Sequence, residues 1–243
     1  MPAYSFFRLV AIPCRYGLLL WGLGFLGALL AQPAWQWEPS FSYTHTLTSY
    51  WSVNARVVSM QRRAADPQAD PRYSWDRIEL AGFATYRLLG GKKLSLGYTQ
   101  RRLDPLEADG GWENRITQQF AFVSYVGGQR IGHRLRSEQR FRPEGLTQRF
   151  RYRLSYDVPL NGEKLDPGES YLFVSEAVHL SLGARQAAAN RVYVAWGHRF
   201  GQNQKLEIGL EHRWEGLGTG SPSHFLHLVT AWYLSRQTRT LNP

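Results

Sequence analysis

The chain has one cysteine in 243 residues, Cys14, which leaves no material for a disulfide scaffold or a cysteine-built zinc site. Lysine is nearly as scarce. Of the 29 basic residues only Lys92, Lys93, Lys164 and Lys205 are lysines, all in or beside expected turns. Beyond the N-terminus there is no long apolar run, which excludes a bundle of membrane helices. Past residue 32 no segment holds a 3.6-residue period for long, so a helical domain is not expected. Acid is in deficit too: 19 Asp+Glu against 29 Lys+Arg give a formal net charge of +10. A charge of that size ordinarily raises nucleic acid as a partner. Here the arginines alternate with apolar residues and form no exposed basic run, so nucleic acid is not expected. At 43% hydrophobic and 14% aromatic the chain is too apolar for disorder, and it is long enough to bury a sizeable core.

What is present begins with an address. Residues 1–15 carry Arg8 and Arg15 and no acid, residues 16–31 run YGLLLWGLGFLGALLA, and Gln32-Pro33 follows. A basic region, an apolar stretch and a small residue before the break are the parts of a secretory signal peptide, with cleavage expected near Ala31. The alternative is an uncleaved membrane anchor. Cys14 precedes the apolar run and would leave with the signal. Losing Arg8 and Arg15 as well would lower the formal charge by two, from +10 to +8.

After the signal the recurring pattern is period two. Leu206, Ile208, Leu210 and Trp214 alternate with Glu207, Gly209, Glu211 and Arg213, and Phe150, Tyr152 and Leu154 alternate with Arg149, Arg151 and Arg153. That is β alternation. Gly90-Gly91 and Gly127-Gly128 sit between strand-like runs and read as tight hairpins, and 201–204 makes another short connection. The runs predict strands near 51–62, 75–89, 93–102, 113–126, 129–141, 146–158, 171–182, 190–200, 205–215 and 224–234, about ten in all. Residues 32–50 form an N-terminal segment that would extend the first strand, add another, or lie as a plug; 51–235 is the barrel proper and 236–243 a tail. Long polar loops (63–74, 103–112, 183–189, 216–223) roughly alternate with tight turns, as in an outer-membrane barrel. One pair breaks the rule: the connection at Pro143-Glu144-Gly145 is short where a long one is due, and 159–170 is long where a short one is due.

Each strand has an apolar and a polar face, so the fold depends on which face is inside. In a soluble sandwich or barrel the apolar face points inward; in a transmembrane barrel it meets lipid. Arginine with interspersed glutamate and almost no lysine suits an enclosed, ion-paired interior. Aromatics near strand ends (Tyr50-Trp51, Tyr73, Trp75, Trp112, Trp214 and Trp232-Tyr233) suit girdles at two membrane interfaces. The signal would deliver the chain to the periplasm. These observations favour lipid outside.

Certain stretches resemble a family. They are His133-Arg134-Leu135-Arg136-Ser137-Glu138-Gln139-Arg140-Phe141, Arg149-Phe150-Arg151-Tyr152-Arg153, Ser175-Glu176, Asn190-Arg191-Val192-Tyr193 leading to Gly197, Leu206-Glu207-Ile208-Gly209, and His224. Over residues 133–234 the chain resembles an uncharacterised Gram-negative outer-membrane β-barrel family known as a domain of unknown function. The resemblance implies an outer-membrane barrel without known activity. The chain departs from the usual barrel ending in an aromatic residue, since residues 235–243 follow Tyr233-Leu234.

The charged residues form a lumen constellation. Even spacing puts Arg134, Arg136, Glu138 and Arg140 on one face, and Arg149, Arg151 and Arg153 on one face of the next strand. Glu176, Arg191, Arg199, Glu207, Glu211 and Arg213 would complete a layered network. Glu176 shares register with Leu172, Val174 and Val178 and needs a bulge to turn inward. One reading is a filled, closed lumen of mutually neutralised Arg and Glu; the other is a slightly positive passage for anionic solutes. Ser223, His224 and His227 are the nearest Ser/His grouping, but on a regular strand adjacent and odd-spaced positions face opposite ways, so no catalytic residue is expected. There is no metal-ligand spacing and no phosphate loop, and no cofactor is expected.

The reading is therefore an all-β chain: a transmembrane antiparallel up-and-down barrel of about ten strands with an Arg/Glu-rich interior. It would sit in the outer membrane of a Gram-negative cell with both termini periplasmic. Its partners would be outer-membrane lipid and, during insertion, the barrel-assembly machinery; no specific protein or solute is named. The function would be structural, or that of a narrow pore for small anionic or polar solutes. The alternatives are an outer-membrane enzyme acting on lipid or peptide through a loop-end histidine, and a soluble periplasmic binding barrel.

Overall fold

In the computed structural model the described residues are 36–63, 73–126, 129–162, 165–183, 186–219 and 222–238. The expected signal at residues 1–31 and the Gly127-Gly128 turn lie outside them. Eleven strands follow one another: β1 (Gln36–Thr46), β2 (Trp51–Arg63), β3 (Tyr73–Arg87), β4 (Lys93–Leu103), β5 (Trp112–Val126), β6 (Gln129–Arg142), β7 (Gly145–Pro159), β8 (Ser170–Leu182), β9 (Ala187–Arg199), β10 (Gln204–Leu217) and β11 (Ser223–Gln237). Each pairs with its neighbour in sequence, and β1 pairs with β11 to close the barrel. Ten of these strands coincide with the periodic runs. The eleventh is β1, which corrects the expected count: residues 36–46 are a wall strand, not a plug or an extension of β2.

That extra strand has a geometric consequence. Direction alternates from strand to strand, so an odd ring must contain one pair running the same way. Here it is β1 with β11, in register from Gln36 opposite His227 to Thr46 opposite Gln237. The expected all-antiparallel ring is therefore broken at its seam. The first strand begins at one rim, the entry rim, and the last ends at the opposite, exit rim. Both ends of the barrel chain on one side is likewise corrected. Past β11 the backbone N–H of Thr238 donates to the Thr46 carbonyl at 3.0 Å and ties the chain end to β1.

Period-two alternation decides which side chains fill the lumen. Large apolar side chains stand outward and bare: Leu96 is 60% exposed, Leu80 52% and Val178 51%. Polar and charged groups are buried inside, Glu113 and Thr117 among the most enclosed. Outward aromatics gather at both ends of this belt. Trp37, Trp75, Trp112 and Trp214 lie toward the entry rim, and Tyr50, Trp51, Tyr86, Phe200 and Trp232 toward the exit rim. Tyr233 instead points into the lumen, where its hydroxyl donates to Glu207 at 3.2 Å.

Two features show the fit of sequence to wall. Gly90 and Gly91 adopt φ of 69° and 72°, the left-handed region a tight turn requires and glycine accepts at little cost. Gly197 lies opposite Tyr171 in register, and a Cβ there would come 2.2 Å from Tyr171 Cζ. The missing side chain lets the buried tyrosine ring lie flat against β9. Of the irregular connections, 143–144 is short at the entry rim and 160–169 long at the exit rim, so loop lengths do not segregate cleanly.

Candidate functional site: the charged lumen

On one side of the lumen the charges are compensated. Glu38 on β1 accepts from Arg77 Nη2 of β3 at 2.8 Å and Arg213 Nη2 of β10 at 2.7 Å. Arg77 also pairs with Glu79 at 3.0 Å, Glu79 with Arg101 of β4 at 2.6 Å, and Arg101 with Glu113 of β5 at 3.7 Å. Glu113 is 0% exposed and is held by Arg115, Arg142 and, at 3.1 Å, Arg140. Arg115 and Arg140 lie directly opposite across β5 and β6. Two like charges there are tolerable because Glu113 and Glu138 both reach them. Ion pairs therefore run unbroken from β10 across the seam to β6. Buried charges demand such pairing, since an unpaired one loses its hydration without replacement.

The other side is different. Arg134 of β6 lies opposite Arg153 of β7, and Arg136 opposite Arg151. Arg136 is paired, to Glu138 at 3.4 Å and to the Gln119 side-chain oxygen at 2.8 Å. Among the described residues no carboxylate lies within ion-pair distance of Arg56, Arg134, Arg149, Arg151 or Arg153. The acids nearby are already engaged. Glu207 is taken by Lys205 at 2.7 Å and by the hydroxyls of Tyr171 at 2.8 Å and Tyr233; Glu211 pairs with Arg213; Glu215 pairs with Arg191 at 2.6 Å.

The thirteen residues expected in the lumen are thus placed as follows. Arg134, Arg136, Glu138 and Arg140 and the row Arg149, Arg151 and Arg153 share the lumen face as neighbouring strands. Glu211 and Arg213 join the paired chain through Glu38; Glu207 and Arg191 make the separate contacts above; Arg199 leaves the network and donates to the Leu165 carbonyl of the long exit-rim loop. Glu176 is a correction. β8 has no bulge, so Glu176 keeps the parity of Val174 and Val178 and faces outward, accepting from Asn190 Nδ2 at 2.9 Å.

Sequence reading missed Glu38, Arg56, Arg77, Glu79, Arg101, Glu113, Arg115, Arg142 and Glu215, mostly in the N-terminal half. A usable signal was there. Opposite charges at i and i+2 on a strand share a face, and Arg77-Glu79, Glu113-Arg115 and Glu211-Arg213 all pair in that way.

The histidines divide by face. His224 is outward beside His212, 3.3 Å away, and Trp214, whereas His227 is buried inside. A second outward group was not foreseen. Ser124 Oγ lies 2.7 Å from His133 Nε2, and His133 Nδ1 lies 2.8 Å from the Tyr152 hydroxyl. The His133 ring stacks on Phe122, with centroids 4.5 Å apart. These residues come from three successive strands and meet diagonally, which no linear spacing reveals. At the exit rim a cavity of about 380 Å³ opens between Asp157, Tyr171, Arg199, Lys205 and Tyr233.

One comparison bears on all of this. A family model described as "Protein of unknown function (DUF2490)" matches residues 37–223, from β1 to the first residue of β11. No curated protein and no solved structure matches the chain.

Proposed function

The chain belongs to the DUF2490 family, whose description carries no activity, and from its geometry we propose an outer-membrane β-barrel with a narrow, positively lined lumen for small anionic or polar solutes. The supporting observation is sidedness. Bare apolar side chains cover the outside between two sets of aromatics, while a fully enclosed carboxylate and its guanidiniums sit within. That inversion costs free energy in water and gains it in a bilayer, where apolar groups meet lipid and aromatic rings favour the interfaces. In this reading residues 1–31 are a cleaved signal, the cell is Gram-negative, and lipid and the assembly machinery are the barrel's partners. The packed lumen restricts passage to small ions and solutes.

Fractionation and heat-modifiable migration on gels test location: recovery in outer membranes with a compact unheated form is expected. A mature chain soluble without detergent would refute it in favour of the periplasmic binding barrel. Single-channel recording tests passage, with a small anion-preferring conductance expected and a wide or cation-preferring one counting against it.

A second reading follows from the Ser124–His133–Tyr152 relay. It has the form of a nucleophile, a base and a group orienting the base, on the apolar face where lipid would lie. Ser124 Oγ would attack an ester carbonyl as its proton passes to His133 Nε2. That proton would leave with the alcohol, and water would hydrolyse the acyl-enzyme. Ester hydrolysis by the purified barrel, lost in Ser124→Ala with the fold intact, would establish this reading; its absence in the wild type dismisses it.

A further inference from the structure

We propose that the lumen sector whose arginines have no carboxylate within ion-pair distance is a binding site for a small oxyanion of the phosphate or sulfate class, held by Arg56, Arg134, Arg151 and Arg153. This deepens the charged-lumen reading and rests on it, though not on membrane insertion. Three of the four stand on adjacent β6 and β7, with Arg134 and Arg153 directly opposite. Arg56 comes from β2, four strands from β6 around the ring, yet it is an electrostatic neighbour of Arg134, Arg136 and Arg153; Glu207 and Glu211 also act on Arg153, but as acids already engaged by Lys205 and Arg213.

Unpartnered buried nitrogens occur on both sides of the lumen, Arg77, Arg101 and Arg140 Nε among them, but on this side they belong to guanidiniums that also lack an ion pair. The Nε atoms of Arg56, Arg151 and Arg153 are shielded from solvent and lack a partner, as are both ring nitrogens of His179 and the hydroxyl of Tyr193. His179 is opposite Arg151 across β7 and β8, and only 3% exposed. Donors that are buried, clustered and unmatched define what fits them. Water satisfies N–H groups but does not neutralise four guanidiniums. A compact oxyanion with several charged oxygens does both, because the planar guanidinium fork accepts two oxygens at once. Chloride offers charge without that geometry. Access is from the exit rim, where Arg199 and Lys205 outnumber Asp157 around the cavity, and Asp157 is four residues along β7 from Arg153.

The test uses the full chain refolded in detergent, with thermal unfolding followed in inorganic phosphate, sulfate or chloride at matched ionic strength. Phosphate and sulfate should raise the midpoint saturably, and chloride should not. Arg151→Gln/Arg153→Gln should abolish the saturable rise. Arg153→Lys, which keeps the charge and loses the fork, should weaken phosphate by about tenfold. Lys92→Gln, on an exit-rim turn, should change nothing. No saturable rise, an equal rise in chloride, or an unaltered phosphate response in Arg153→Lys overturns the site, and Arg153→Lys decides alone if the double variant does not fold. A chain that binds phosphate but stays out of membranes leaves this inference standing and removes the membrane reading; a membrane barrel indifferent to oxyanions does the reverse.

Discussion

Leu80→Arg asks directly what lies outside the wall. Leu80 is the central residue of β3, outward and 52% exposed, with Val57 and Gln100 as its register neighbours. On a water-facing surface an arginine at such a position changes stability by no more than about 0.5 kcal/mol. At the midplane of a bilayer it costs about 2–4 kcal/mol, a factor of roughly 30 to 700 in the folding equilibrium at about 1.4 kcal/mol per decade. Leu94→Arg supplies the depth control. Leu94 is also outward, six residues along β4 from the Gln100 that faces Leu80. At ~3.4 Å per residue and ~40° tilt it lies roughly 16 Å nearer the exit rim, beyond half of an apolar band ~25 Å tall. Its cost should fall to about 0–1 kcal/mol. The assay is reversible urea unfolding in lipid vesicles, read by tryptophan fluorescence with gel migration as a check on the folded form. Two variants both within about 0.5 kcal/mol of the wild type would refute lipid contact, as would equal costs at both depths.

Other outcomes follow from the lumen. Glu113→Gln leaves Arg115, Arg140 and Arg142 around a neutral group, and breaking a buried pair in this way should cost about 3–5 kcal/mol in the same unfolding assay. Asp76→Asn, which loses a rim pair whose Arg62 side chain is 48% exposed, should cost no more than about 1 kcal/mol; equal costs would mean the network does not act as a buried unit. Gly197→Ala should force Tyr171 off β9 at about 1–3 kcal/mol and disturb its hydrogen bond to Glu207, visible as lower stability with unchanged strand content by circular dichroism.

The orientation of most side chains was legible from alternation because facing is a local property: residues two apart on a strand share a side whatever their neighbours do. Arg134 through Arg140 and Arg149 through Arg153 therefore pointed to one interior before any strand was paired. The same rule already spoke against Glu176, which needed a bulge that β8 does not contain. The N-terminal half yielded less, since its inward charges are spread thinly across β1 to β5 and form no arginine-rich run.

What alternation leaves open is the ring. Whether β1 closes a wall depends on β11, nearly two hundred residues away, and no pattern within β1 itself can show that partner. Its inclusion makes the strand number odd, forces the parallel seam and sends the two ends of the barrel to opposite rims. Partnership inside the lumen is equally non-local. Glu38 finds Arg213 across the seam, and Arg56 lies in the field of Arg134 and Arg136, four strands distant. Alternation alone put the arginines of each strand on one face and favoured that face as the interior; the closed ring is what settles which of them meet a carboxylate, because the distances across a barrel are set by its circumference and not by spacing along any strand.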